Sequence, residues 1–485
     1  MDLNNKRALV VGLGKSGVAS ALFLKSRGAR VTVSDSKPEA ELRNEILLFL
    51  EHGIAVETGG HGDRTFRGQD FIVVSPGVPF DAPQLVQARS LGETVIGEIE
   101  LAARFLPGPI AAITGANGKT TTTALTGEIL AAASIPVLVG GNIGTPAIGF
   151  VDRARPETWI VLEVSSFQLE TIVQFRPRIA VILNITPDHL DRHKTFANYV
   201  NAKARIFENQ RPEDFAVLNA DDATTAGLAD RTRAQLYWFS RKKPVKNGAF
   251  VRDGKIFFLV APTLLSAPAV PIANIGLAAS PGQPTTDDRR QEIEIMPISE
   301  IPLKGAHNLE NVLAAICVSM LAGCQPEQIR RAVENFKAVE HRLEFVAKIA
   351  GVDYYNDSKA TNVDATIKAL ESFPANIHLI LGGKDKGSDY TVLNDLLRER
   401  VKRVYTIGAA AAKIESQIQG AAEIEHAETL ENAVQRAAES AIPGDIVLLA
   451  PACASFDQFQ NYEHRGGVFK EAVRSMANAP ASPDV

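Results

Sequence analysis

From residue 6 onward the chain alternates short β-branched runs with stretches of helical spacing. ALVVGLG, VASALFLKSRG, RVTVSD and FIVVSPG read as strand, helix, strand and a later strand. That rhythm predicts βαβ units on a mostly parallel sheet. A second series begins at PIAAITG (109–115) and continues through WIVLEVSS (159–166) and IAVILNIT (179–186). Its strands are nearly unbroken apolar runs, as expected where helices cover both faces. Between residues 237 and 302, YWFS, AFVRDGKIFFLV and EIEIMPI read as shorter antiparallel strands. The polar stretch 280–292 among them reads as a mobile insertion. A helix over 308–323 follows, with Gly323 as its C-cap. NFKAVEHR (335–342) marks a boundary, after which VDYYND, IHLILGG, RVYTIG and DIVLLAP alternate with helices. The last ten residues, MANAPASPDV, read as disordered. The pattern therefore predicts three α/β units, over 1–98, 99–338 and 339–485.

A chain of 485 residues is too long for one core, so length agrees with several domains. A net charge of −5 argues against a nucleic-acid partner, which would favour a basic face. Cys317, Cys324 and Cys453 lack any metal-binding spacing and read as buried thiols of a reducing compartment. The N-terminus runs straight into a strand, and no apolar run is long enough for a membrane span. A cytoplasmic monomer is the expectation.

The most informative segment is ITGANGKTTTT (113–123). An apolar strand runs into Gly115, Asn117, Gly118, Lys119, Thr120 and Thr121 and then a helix. Glycines let backbone N–H groups face an anion, and a helix N-terminus adds positive dipole. Lys119, expected to face solvent when no nucleotide is bound, suits the β- and γ-phosphates, and the Thr120 hydroxyl suits Mg²⁺. The first glycine stands two residues closer than in the generic loop. Glu163 ends the run WIVLE, where an acid can hold Mg²⁺ at the carboxyl edge of a sheet; alone it reads as an ordinary strand-end acid. Asp188, His189 and Asp191 follow the next strand at the same edge. By itself His189 reads as structural, and Lys203, on the helix YVNAKARIFEN, as a solvated lysine. Gly12-Leu13-Gly14-Lys15-Ser16-Gly17, with Asp35 ending the next strand, fits a dinucleotide site, but the same physics cradles a UDP diphosphate.

ITGANGKTTT, LEVSSFQLE, NITPDHLDRH, AKARIFEN, GAHNLENVLAA, EHRLE and NDSKATN occur in the order and spacing of the Mur ligases, which the chain resembles over nearly its whole length. The shortened phosphate loop is a feature of that family. GLGKSG, SPGVP, NDSKATNVDAT and LLAPACASFDQFQNYEHRG are similar to the branch that adds D-glutamate to UDP-N-acetylmuramoyl-L-alanine. The resemblance implies a Rossmann-like N-terminal domain for the UDP-sugar and a central P-loop ATPase-like domain with a small antiparallel addition. It implies a Rossmann-like C-terminal domain as well. Carried over residue by residue, it assigns Lys119 and Thr120 to ATP phosphate and Mg²⁺, and Glu163 and His189 to two magnesium ions. Asn142 would contact substrate and phosphate, and Lys203 would be carbamylated, since a carbamate can bind a cation and an ammonium cannot. Asn311 falls to adenine, Arg342 to phosphate and Asp357 to ribose. Lys359 and Thr361 fall near the reaction centre, and Lys386, Ser455 and Tyr462 to the D-glutamate pocket, although Lys384 competes with Lys386. The first glycine motif is then read as Lys15 and Ser16 at the diphosphate, with Asp35, Ser36 and Lys37 near uridine. Ser75, Pro76 and Gly77 would close that pocket.

The implied reaction is ATP-dependent amide formation through an acyl phosphate. Three ligands must converge, so closure about hinges near residues 98 and 338 is expected. A dehydrogenase built on the first domain would leave the phosphate loop unexplained. A non-catalytic nucleotide-binding regulator would not need Lys119, Glu163, His189 and Lys203 together.

Overall fold

The computed structural model describes residues 1–260, 291–303, 305–337 and 339–478. They form a three-domain α/β protein, with one sheet per domain. Two compact units result: residues 1–301 with Glu310–Asn335, which hold the first two sheets, and Pro302–Leu309 with residues 336 onward, which hold the third.

The first sheet is wholly parallel, in the order β3-β2-β1-β4-β5, from β1 (Arg7–Val11), β2 (Arg30–Ser34), β3 (Ala55–Glu57), β4 (Phe71–Val74) and β5 (Thr94–Gly97). Alternate residues of β1 face opposite cores, Ala8 and Val10 on one side, Leu9 and Val11 on the other. Register sets Val11 beside Ser34 and Val74, so Gly12, Asp35 and Ser75 leave the sheet together.

The second sheet carries β6 (Ile110–Thr114), β7 (Val137–Gly141), β8 (Trp159–Glu163), β9 (Ile179–Ile182), β10 (Phe215–Asn219), β11 (Gln235–Ser240), β12 (Gly248–Arg252), β13 (Lys255–Val260) and β14 (Gln291–Pro297), in the order β14-β13-β12-β11-β10-β9-β6-β8-β7. β6, β8 and β9 are buried throughout, as their apolar runs require. The expected antiparallel addition is smaller than the sequence suggests. β11 joins β10 in parallel and β12 joins β11 in parallel; among the described residues of this sheet only β12-β13 and β13-β14 are antiparallel. The insertion expected at 280–292 lies outside the described residues except Gln291 and Glu292, which open β14.

The third sheet runs β15-β16-β20-β17-β18-β19, from β15 (Glu344–Ile349), β16 (Val352–Asn356), β17 (Ile377–Gly382), β18 (Val401–Ile407), β19 (Glu423–Glu428) and β20 (Ile446–Leu449). Its parallel part is edged by antiparallel β15, a strand that the sequence reading missed along with β19. Both are half-exposed edge strands without a clear apolar run. Residues 476–478, expected to be disordered, complete the helix Tyr462–Asn478; the rest of that stretch lies outside the described residues. Among the described residues no helix is long and apolar enough to cross a membrane.

Candidate active site

In the second sheet, β6 lies between β8 and β9, and all three run in parallel. Their carboxyl ends therefore meet at one edge, where crossovers to the two sides diverge and a ligand crevice forms. The turn after β6 takes Gly115 to φ 157° and Gly118 to φ 86°, after which the helix Lys119–Ala132 begins. A Cβ on Gly118 would lie 2.1 Å from Asn311 Oδ1, so only glycine lets Asn311 press on the loop. Asn184, unnoticed in the sequence, holds the loop from β9: its Oδ1 accepts from Asn117 N at 2.9 Å and its Nδ2 donates to Asn117 O at 3.1 Å. Its place just past a strand neighbouring the phosphate loop was the available signal.

Glu163 at the end of β8 is 2% exposed; its Oε2 accepts from the Thr120 hydroxyl at 2.7 Å and its Oε1 from Asn142 Nδ2 at 2.9 Å. Thr120, Glu163 and Asn142, predicted from separate motifs, thus form one cluster. Thr121 is buried in the same helix. Lys119 departs from expectation: its ammonium turns back to donate to Gly115 O at 2.9 Å and Ala116 O at 2.8 Å. Turned this way, it donates to Ala116 O and shares Gly115 O with Lys203.

Lys203 corrects the bare sequence reading as a solvated lysine. It is 2% exposed, donates to Gly115 O at 2.8 Å, and has its Nζ 4.7 Å from the Tyr199 ring centroid. Burial, followed by the nearby Lys119 charge, drives its pKa well below that of a free lysine, against the pull of Asp188 and Glu163. His189 opens a short helix at φ 53° and stands 3.7 Å from Asp188 Oδ2, with its ring edge-on to Phe167. Asp191 lies in the same turn. Arg192, also missed, donates to Pro76 O at 2.8 Å and Val78 O at 3.0 Å, binding the SPGVP turn of the first domain to this loop.

In the first domain, Asp35 accepts from Leu13 N at 2.7 Å and Lys37 N at 2.9 Å, and Ser75 Oγ donates to Gly12 O at 2.7 Å. Asp35 and Ser75 therefore brace the glycine turn from within, whereas Lys15, Ser36, Lys37 and Gly77 are exposed beside it. Ser16 and Pro76 are half-buried.

In the second unit, Asp357 leaves β16 fully buried, its carboxyl pushed up to about 6 by burial against the opposing Arg342 charge. Asp357 Oδ1 accepts from Leu343 N at 3.3 Å. Lys359 donates to the Tyr462 hydroxyl at 3.3 Å, with Thr361 two residues on. Lys386 lies in the turn after β17, and the neighbouring Lys384 pairs its backbone with Ala454, next to buried Ser455. Arg465, fully buried and given no role in the sequence reading although it lies in the LLAPACASFDQFQNYEHRG motif, donates to Ser358 O at 2.8 Å and Cys453 O at 3.1 Å, which ties these loops together. Glu340, His341 and Glu344 cluster nearby with metal-like spacing. Lys470 pairs with both Glu340 and Glu344 and supplies the positive charge a cation would bring.

Family models match the three domains in turn: the Mur ligase MurD-like N-terminal domain at 6–97, the Mur ligase middle domain at 113–259 and the Mur ligase glutamate ligase domain at 341–453. The chain belongs to the Mur ligase family. It is 64% identical to a UDP-N-acetylmuramoylalanine--D-glutamate ligase of Koribacter versatilis, covering 98% of this chain and 99% of that one. It is 57% identical to the enzyme of that name from Acidobacterium capsulatum, covering 99% of each. Among solved structures, the fold matches UDP-N-acetylmuramate-alanine ligase of Thermotoga maritima (TM-score 0.57, 20% identity, 97% of this chain and 100% of that). It also matches the MurF ligase of the same organism in complex with ADP (TM-score 0.57, 14% identity, 98% and 100%).

Proposed function

We propose that this Mur ligase joins D-glutamate to UDP-N-acetylmuramoyl-L-alanine in the cytoplasm, with cleavage of ATP. The observation that carries the reading is the Gly115–Thr120 turn, with Thr120 and Asn142 locked onto Glu163 and Lys203 buried behind it. The names of relatives sharing more than half of its residues support the choice of substrates.

A carboxylate is a poor electrophile because its oxygen is a poor leaving group. Attack of the alanyl carboxylate on the γ-phosphorus forms a carboxyl–phosphate bond and releases ADP. Lys119 exchanges its two carbonyl partners for phosphate oxygens and offsets the repulsion between the two anions. The oxygen-rich set of Thr120 and Glu163, with His189, suits Mg²⁺, which when bound supplies further positive charge to the phosphates. Burial favours the neutral amine of Lys203, the form that adds carbon dioxide, and the resulting carbamate would complete this set. The D-glutamate amine then attacks the acyl carbon, and phosphate leaves. A carboxylate near His189, or His189 itself where it does not hold Mg²⁺, takes the amine proton in this reading. Lys386, Ser455, Thr361 and Tyr462 form the amino-acid pocket of this reading, and Asp357 and Arg342 the ribose and phosphate contacts. Lys15 and Ser16, beside exposed Gly14 of the glycine turn, take the UDP diphosphate.

The test is phosphate release with UDP-N-acetylmuramoyl-L-alanine, ATP and Mg²⁺, offering D-Glu, L-Ala, diaminopimelate or L-Lys. Release should require D-Glu and should fall sharply in a folded Lys119→Ala variant. Release with a different amino acid alone would overturn the substrate assignment.

A further inference from the structure

The turn that carries Lys386 reads Gly383-Lys384-Asp385-Lys386-Gly387, with an acid between two lysines. A free Asp385 carboxylate beside Lys386 would compete with any incoming carboxylate for its ammonium. The structure holds that acid elsewhere. Asp385 Oδ1 accepts from the Tyr390 hydroxyl at 2.8 Å and from Ser388 N at 3.1 Å, and its Oδ2 accepts from Lys413 Nζ at 2.8 Å. Tyr390 is fully buried, and its hydroxyl also lies 3.0 Å from Cys453 Sγ, on the loop that leads to Ser455. Lys413, on the helix Ala411–Ile418, stands 5.5 Å from the Tyr390 ring centroid. Among the described residues, no carboxylate lies within ion-pair distance of Lys386.

We propose that Lys413 and Tyr390 are specificity-determining positioning residues: they sequester Asp385, so that Lys386 presents an uncompensated charge to a dicarboxylate amino acid. The inference rests on the reading of Lys386 as the amino-acid ligand. Lys413 touches no substrate; it acts by keeping the acid occupied. Removing it turns Asp385 into an internal competitor at the pocket, and a second change, neutralising Asp385, removes the competitor. A purely structural ion pair predicts the opposite, since losing both partners leaves the turn no better held than losing one.

The experiment measures KM for D-glutamate, KM for ATP and kcat in the full-length enzyme. Lys413→Met should raise KM for D-glutamate about tenfold, the scale of one weakened charge-assisted hydrogen bond, with KM for ATP unchanged. Lys413→Arg should keep the wild-type value. Lys413→Met with Asp385→Asn should recover most of the loss. A double variant as impaired as Lys413→Met, or a Lys413→Met variant with wild-type KM, would overturn the proposal. Asp385→Asn alone provides a folded reference should Lys413→Met unfold; a tenfold rise there would also count against it. Lys386→Ala separates the two levels: if it leaves KM for D-glutamate unchanged, the reading of Lys386 itself has failed.

Discussion

Glu98 starts the helix Glu98–Ala103 at the end of the first domain and is 2% exposed. Its Oε1 accepts from Ile148 N in the central domain at 2.7 Å, while its buried Oε2 has no partner. Burial outweighs the backbone N–H donors and pushes the carboxyl up to about 7 from 4.5. The unfolded chain therefore ionises first as pH rises, and stability falls between those two values. Above them the loss is constant, at roughly 3 kcal/mol for a shift of this size. Glu98→Gln keeps an acceptor for Ile148 N and cannot ionise. The variant should gain stability over wild type by that amount between pH 4 and pH 8, whatever its fixed offset from a buried amide. Thermal midpoints of both proteins across that range should diverge by roughly 5 °C, with the variant higher at alkaline pH. Parallel curves would refute the assignment of a carboxyl desolvated at this seam.

Gly118→Ala forces an alanine into φ 86° with its Cβ on Asn311, at about 1–2 kcal/mol of backbone strain before the clash is counted. KM for ATP should rise at least about tenfold, by titration of phosphate release, with the fold retained. Lys203→Met removes a buried amine that has no ion pair among the described residues, so the thermal midpoint should hold or rise while phosphate release falls more than about a hundredfold. Asp357, with its carboxyl near 6, should lose its acceptor role as pH drops below that value. KM for ATP should then climb with acidity in wild type and stay flat in Asp357→Asn.

Much of the fold was legible because strands such as WIVLE and IAAIT are unbroken apolar runs whose ends carry the chemistry. The direction of β11 and β12 was not, since alternation records which face is buried and not which way a neighbour runs. The short link 241–247 made a hairpin the natural expectation. At the site, glycine spacing announced the phosphate turn, but nothing local shows that Thr120 would meet Glu163, because register across β6, β8 and β7 creates that contact. Lys203 reads as solvated because one sequence does not tell which face of its helix meets the loop. Arg465 is the extreme case: an arginine in a polar helix, fully buried and spent on backbone carbonyls and the Ser358 hydroxyl.

The central claim is that a substrate carboxylate is activated as an acyl phosphate on the Gly115–Thr120 turn. Turnover of UDP-N-acetylmuramoyl-L-alanine labelled with oxygen-18 in its alanyl carboxylate, followed by mass spectrometry of the phosphate released, tests it directly. Phosphate carrying one labelled oxygen per turnover, with the other retained in the amide, is the expected result. Unlabelled phosphate formed alongside the amide would contradict the account.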